Sequence, residues 1–253
     1  MGSAETRRQE ILQYLREAGE VRISELVARF SVSPATARRY LRILERQGFA
    51  LRRHGGATTP EAPLYEPSFK ERERAFITQK RQIALAASAL VRDGETIALT
   101  GGTTTSLVAR ALGGRASTVV TNAVNIAMEL ARESQIRIHL TGGRLRATSY
   151  ELVGPAAVQA LQGLNVDVAF IGVSGISVER GPTTINEEEA EVNRAMVLAA
   201  QRVVVVADHS KLGKTRLVQV CPVDAVHSLI TDRDADIGII DDFKRAGVEV
   251  ILA

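Results

Sequence analysis

Residues 96–112 read TIALTGGTTTSLVARAL, and this stretch decides the fold. A β-branched and aliphatic run (96–99) leads into a loop of glycines and threonines, and a helical stretch (104–112) follows directly. The same rhythm recurs downstream, with strands expected at 118–120, 137–140, 166–171, 203–207, 228–231 and 248–252. Helical stretches separate most of them, at 79–91, 126–132, 156–162, 187–200 and 239–246. Strands that alternate with helices lie parallel, with helices on both faces of the sheet, so this part of the chain is expected to be a Rossmann-like α/β domain.

Ahead of residue 58 the pattern is different. Ile11, Leu12, Leu15 and Ala18 recur at helical spacing, Thr6 with Gln9 fits a capping box, and Gly19 stops the helix. A short second helix carries Ile23, Leu26, Val27 and Phe30. After the polar break 31–33, Ser33 and Pro34 read as the N-cap and first residue of a third helix that runs to Gln47 and stops at Gly48. Ala37, Leu41 and Leu44 face the core of this module, whereas Arg38, Arg39, Arg42 and Arg46 face elsewhere. Residues 49–57, FALRRHGGA, read as a β-hairpin with Arg52, Arg53 and His54 at its tip. Three short helices, a tight turn before the last and a trailing hairpin make a winged helix-turn-helix, whose third helix enters the major groove of double-stranded operator DNA.

Residues 58–69 hold three of the seven prolines, a density that disfavours helix and central strand and fits an extended linker. The expected organisation is a DNA-binding domain at 1–57, a linker at 58–74 and an effector domain at 75–253. Charge divides the same way. Residues 1–60 carry eleven basic residues, all arginine, against six glutamates, while the remainder has 21 basic and 23 acidic residues. An arginine-only module joined to a slightly acidic one points to a polyanion-binding unit attached to something else.

Composition excludes several classes. With 45% hydrophobic and 24% charged residues over 253 positions, the chain is neither disordered nor membrane-embedded, and its length allows two ordinary domains. Its apolar runs fall far below the ~20 residues that span a bilayer, and the start MGSAETRRQE lacks a signal-peptide core, so a cytoplasmic protein with no membrane partner is expected. One cysteine, Cys221, cannot form an internal disulfide, and four scattered histidines give no clustered zinc ligand set, so no metal is expected. The GGTTT loop lacks the Lys-Ser/Thr ending of a Walker loop, no dinucleotide fingerprint follows a strand, and no cofactor is expected.

The functional residues follow from these two readings. On the third helix, Ser33, Ala35, Thr36, Arg38, Arg39, Tyr40 and Arg42 hold the positions facing bases and backbone, with Arg52, Arg53 and His54 on the wing. Arginine bonds two guanine acceptors at once, and threonine offers a hydroxyl and a methyl; spacing leaves open which residue reads a base. In an open parallel sheet, ligands bind beyond the carboxyl ends of the strands. There the chain places Thr100, Gly101, Gly102, Thr103, Thr104 and Thr105, then Asn122, then Gly142 and Gly143, then Gly172, and last Asp208, Ser210 and Lys211. This rim suits a small phosphorylated metabolite: Lys211 as a point charge for phosphate, residues 103–105 as hydroxyl and amide donors, Asn122 and Asp208 for sugar hydroxyls.

Residues 7–57 closely resemble the DNA-binding domain of the DeoR family of bacterial transcription regulators, through Arg7-Arg8 with Ile11-Leu12, the Val32-Ser33 turn, Thr36, Arg38-Arg39 and the closing Arg53-His54-Gly55-Gly56-Ala57. Residues 75–233 resemble that family's sensor domain through GGTTT, VVTN, LTGG, FIG, the Glu188-Glu189-Ala190-Glu191 helix start and ADHSKLG, in order. The resemblance implies a fold similar to ribose-5-phosphate isomerase and glucosamine-6-phosphate deaminase, a sugar-phosphate effector, and Glu189 as a further site residue. Three positions depart from the family pattern: Tyr40 and Thr100 stand where it usually has aspartate, and Asn193 where it usually has lysine. The expected function is a ligand-responsive repressor of a carbohydrate-metabolism operon, acting as a homodimer or homotetramer on a two-fold site. A sugar-phosphate enzyme and an architectural DNA-binding protein are the alternatives, and the missing acid and base at 100 and 193 argue against the enzyme.

Overall fold

A computed structural model describes residues 4–46, 49–53, 55–58, 68–113 and 118–253. The chain divides into two compact units, residues 1–62 and 63–253.

In the first unit, α1 (Ala4–Ala18), β1 (Glu20–Arg22), α2 (Ile23–Phe30), α3 (Pro34–Arg46), β2 (Leu51–Arg53) and β3 (Gly56–Thr58) follow in order. Ile11, Leu15, Leu26, Leu41 and Leu44 are fully buried and share one apolar cluster, so the three helices meet on a common core. Helix α1 is already formed at Ala4, ahead of the expected Thr6–Gln9 box. The wing has one strand more than the sequence suggested: β1 pairs antiparallel with β3, giving the order β1-β3-β2. Glycine is needed where they cross, because a Cβ on Gly56 would lie 2.1 Å from the Val21 carbonyl oxygen. The expected helix end at Gln47 and Gly48, the wing-tip His54 and the proline-rich residues 59–67 lie outside the described residues.

The second unit opens with α4 (Phe69–Arg74) and α5 (Ile77–Ala89) and continues as β4 (Thr96–Leu99), α6 (Thr103–Ala111), β5 (Thr118–Thr121), α7 (Val124–Leu130) and β6 (Arg137–Leu140). A ribbon of β7 (Arg144–Arg146) and β8 (Glu151–Val153) leads to α8 (Pro155–Gln159) and β9 (Val166–Gly172). Then come β10 (Gly175–Ser177), β11 (Gly181–Thr184), α9 (Glu187–Ala199), β12 (Ala200–Val206), β13 (Val218–Gln219), β14 (Ser228–Thr231), α10 (Ile237–Arg245) and β15 (Glu249–Leu252). Seven strands form one sheet in the order β15-β14-β12-β9-β4-β5-β6, and every pairing in it is parallel.

Alternation along the strands builds both faces of this sheet. Ile97, Leu99, Val168, Phe170, Val204 and Val206 pack with α5, α6 and α7, while Ala98, Ala169, Ile171, Val203 and Val205 pack with α8, α9 and α10. The chain starts beside the central strand, on β4, builds outward to β6, then returns to β9 on the other side of β4. The strand order therefore reverses between β4 and β9, where a doubly wound sheet opens a crevice for ligands. Helix α4 falls inside the stretch read as linker, and the antiparallel ribbons β7–β8 and β10-β11-β13 were not legible in the strand pattern. Cys221 is a buried free thiol, pushed up to about 11 by burial and by the Asp224 charge. Among the described residues, no helix is long and apolar enough to cross a membrane.

Candidate functional site

In the first unit, Ser33 caps α3 as the sequence implied. Its hydroxyl accepts the Thr36 N–H at 3.1 Å and lies 2.8 Å from the Thr36 hydroxyl, and its carbonyl accepts the Ala37 N–H. This cap fixes where the helix starts and hence which residues head it. Ala37, Tyr40, Leu41 and Leu44 form the buried stripe of α3, whereas Ala35, Arg38, Arg39, Arg42 and Arg46 are exposed. Arg52 on β2 is exposed as well. Tyr40 was grouped with the DNA-facing residues; it is instead part of the core, one turn after Ala37 and one before Leu44. Its ring still touches the outer face, since the Arg39 guanidinium lies 5.7 Å from its centroid, within cation–π range.

In the second unit the sheet reversal is knitted by the residues expected there. The Thr100 hydroxyl accepts the Gly172 N–H at 2.9 Å, tying the end of β4 to the end of β9. The Asn122 carbonyl oxygen accepts the Gly101 N–H at 3.1 Å, and its amide donates to the Leu152 carbonyl. Thr105 and Ser106 both donate to the Gly102 carbonyl. Thr100, Thr105 and Asn122 are wholly buried. Their polar groups thus hold the loop in shape, and Asn122, expected to reach sugar hydroxyls, acts as a strut between β4 and β8. Thr103 and Thr104 head α6 and are almost wholly buried. Gly142 and Gly143 follow β6; Gly143 lies against the Val153 carbonyl, and the next residue, Arg144, pairs with Glu188.

Beside this loop sits an acid pair that the sequence revealed only in part. Glu189, at the start of α9, accepts from Arg146 at 2.8 Å, from Ser149 at 2.7 Å and from Thr184 at 3.3 Å. Glu151 is packed so closely on the loop that a Cβ on Gly101 would lie 2.1 Å from its Cγ. Burial, the Glu189 charge and the hydrogen bond between the two push Glu151 well above the usual carboxylate range. For Glu189, burial acts upward but is outweighed by hydrogen bonds from Glu151 and Ser149 and by the Arg146 and Arg72 charges, so it is held below its usual value. The two carboxyls are thus pushed in opposite directions, Glu151 up and Glu189 down. Asn193, one turn further along α9, is buried, and its Oδ1 has no hydrogen-bond partner.

The third group is cationic. Asp208 is buried and accepts both the N–H and the hydroxyl of Ser210. The buried Lys80 of α5 lies 3.9 Å from its other oxygen and donates to the Arg72 carbonyl. Burial lowers Lys80 to about 8, against the pull of Asp208. Burial also lowers Lys211, opposed by Asp208 and reinforced by Arg216, Arg72 and Lys214. Lys214 is lowered by burial and by Arg216. Asp208 thus acts on three lysines, Lys80, Lys211 and Lys214. Next to it, His209 and Asp232 are joined by a 2.8 Å contact, and Asp232 also takes the His209 and Asp234 N–H groups. Sequence reasoning found Asp208, Ser210 and Lys211 from their loop; Lys80, Arg72 and Glu151 lie on other elements, with no spacing signal to join them.

A capped arginine helix with a wing, joined to a doubly wound sheet with a polar rim, defines a DNA-binding regulator that carries a small-molecule sensor. The chain belongs to the DeoR family: it matches the DeoR-like helix-turn-helix domain over residues 7–62 and the DeoR C terminal sensor domain over residues 75–233. It is a transcription regulator, not an enzyme. It is 37% identical, over 97% of its length and 93% of the other's, to a candidate aga operon transcriptional repressor of Escherichia coli O157:H7. It is 31% identical, over 91% of each chain, to the glycerol-3-phosphate regulon repressor of Escherichia coli strain K12. Among solved structures, ribose 5-phosphate isomerase A from Methanocaldococcus jannaschii is similar over 52% of each chain, at 23% identity and a TM-score of 0.38, a likeness too slight to carry an argument.

Proposed function

We propose that this chain represses a carbohydrate-metabolism operon and is controlled by a phosphorylated sugar held at the rim of the second unit. The observation that carries this reading is the buried Lys80 ammonium 3.9 Å from the buried Asp208, with Lys211 and Lys214 under the influence of the same carboxylate. Burial disfavours the charged form of Lys80 and Lys211, and a dianionic phosphate offers them a counter-charge in place of the lost water. The acid pair and the orphaned Asn193 Oδ1 supply acceptors for sugar hydroxyls. The names of two relatives, an aga operon repressor and a glycerol-3-phosphate regulon repressor, accord with a carbohydrate-linked phosphate.

At the other end, Arg38, Arg39 and Arg42 on the exposed face of α3, with Ser33, Ala35 and Thr36 at its start, contact the operator, and Arg52 of the wing adds a cation for phosphate. Two such units engage a two-fold operator, so the working form is a homodimer or homotetramer. Effector and operator then oppose each other through a coupling free energy of about 1–3 kcal/mol.

Thermal unfolding against a panel of sugar phosphates tests the sensor. A ligand at 100 times its dissociation constant adds about 2.7 kcal/mol of stability and should release operator DNA in a gel-shift assay. No stabilisation by any phosphorylated sugar at millimolar concentration would refute the reading.

A further inference from the structure

Helix α4 lies between the two stretches matched to known domains: the helix-turn-helix match ends at residue 62 and the sensor match starts at 75. It nonetheless touches both halves of the rim. Its start is fixed by a capping box, in which Ser68 and Glu71 exchange hydrogen bonds with each other's backbone. Phe69 is buried and meets Tyr150 edge to face at 5.1 Å between centroids, which places the helix against the turn leading to Glu151. The Arg72 guanidinium lies over the Phe69 ring, 6.0 Å from its centroid, with Nε and Nη2 buried. From the other side, Lys80 donates to the Arg72 carbonyl, and the same ammonium faces Asp208.

Helix α4 therefore links the Tyr150–Glu151 turn, through Phe69 and the Arg72 side chain over it, to the Lys80 ammonium bonded to the Arg72 carbonyl. The Arg72 charge favours ionisation of Glu151 and Glu189 and opposes protonation of Lys80 and Lys211, so all four lie within its field. The chain then turns sharply: Phe76 adopts a left-handed conformation, φ +53°, and its ring packs on His209 at 4.7 Å, which Asp232 holds in place. One end of α4 is anchored to the Asp208 loop in this way. The other end leads back through nine residues, 59–67, to the wing strand β3.

We propose that the effector site extends onto α4, with Arg72 as an effector-binding residue that grips the anionic group together with Lys80 and Lys211. This rests on the sugar-phosphate reading above and adds its route of control. Without ligand, Arg72 is shared between the acid pair and its own surroundings. A phosphate in the cation cluster offers its planar fork two oxygens at once, a stronger acceptor than the hydrogen-bonded acid pair. Helix α4 is then held by the ligand, and because it is covalently continuous with the wing, occupancy reaches the DNA-binding unit along the chain itself.

The test uses the full chain and four probes: glucose 6-phosphate, ribose 5-phosphate, glycerol 3-phosphate and inorganic phosphate. Calorimetry on wild type, Arg72→Gln, Arg72→Lys and the exposed control Arg74→Gln is combined with hydrogen exchange of residues 69–74. The expected result is at least about tenfold weaker binding for R72Q, intermediate binding for R72K, no change for R74Q, and slowed exchange across 69–74 when wild type is saturated. R72Q should also fail to release DNA at probe concentrations that free the wild type. If wild type binds a probe and both Arg72 variants bind it equally, or if exchange in 69–74 is unmoved, α4 is not part of the site. If no probe binds wild type, the sugar-phosphate reading fails first and takes this proposal with it. R72K preserves charge and volume, so the comparison survives a misfolded R72Q.

Discussion

The two units keep their polar chemistry in opposite places. In the first, the core is apolar, and the arginines proposed to meet DNA stand exposed on α3 and β2. In the second, the groups at the rim are themselves buried: Thr100, Asn122, Glu151, Glu189 and Asp208 are each less than a tenth exposed and bonded to one another's elements. A rigid, highly charged partner such as DNA can be met by a surface, whereas a small ligand must be enclosed, and enclosure makes every polar atom a structural one. Function and stability should therefore separate under mutation in the first unit and travel together in the second.

The largest effect that could break this contrast is at the acid pair. Glu189→Leu leaves Arg146, Ser149 and Thr184 without their acceptor and should cost about 3–5 kcal/mol in denaturant unfolding of the second unit, with effector response lost in the same variant. A stable Glu189→Leu protein that merely fails to respond would show that the rim is not structural.

Next is the buried Lys80. Its folded value of about 8 lies below the ordinary 10.5, so the unfolded chain binds more protons between those values and stability should rise as pH increases from 8 to 10.5. The rise is on the order of 3 kcal/mol in urea unfolding, measured as wild type minus Lys80→Met, and saturating phosphate ligand should flatten it. A falling or flat difference would mean that the ammonium is already well paired.

In the first unit, Arg39→Ala should cost about 1–3 kcal/mol in operator affinity if it reads a base, with relaxed preference at one position, and leave thermal stability unchanged. Equal loss on all DNA sequences would assign it to phosphate. The smallest effect belongs to the cap: Ser33→Ala should lower stability by about 1 kcal/mol by fraying the start of α3, and weaken operator binding with it.

Much of the architecture was legible in the sequence. Each of the seven strands of the large sheet was anticipated within a few residues, because the inner strands, buried on both faces, are apolar runs and each lies between helical stretches. The residues at the sheet reversal were found from glycine and threonine after strands. Helix α4 was missed because FKERER shows no apolar period and follows three prolines. The burial of Tyr40 is legible in its position, three after Ala37 and four before Leu44, and only its arginine neighbours give it the look of a DNA-facing residue. Lys80, Arg72 and Glu151 were invisible for another reason. Each belongs to a different element, and only the closing of the sheet brings them together, which no local spacing records.

The buried thiol of Cys221 has a practical corollary. With its pKa pushed up to about 11, only on the order of one molecule in ten thousand carries the reactive thiolate at neutral pH, and burial hides even that from reagents. The natural chain is thus nearly silent toward thiol labels. A cysteine placed at exposed Arg52 on the wing, or at exposed Arg74 on α4, would be modified almost alone, so spectroscopic probes can be attached to either end of the connecting segment without first rebuilding the protein.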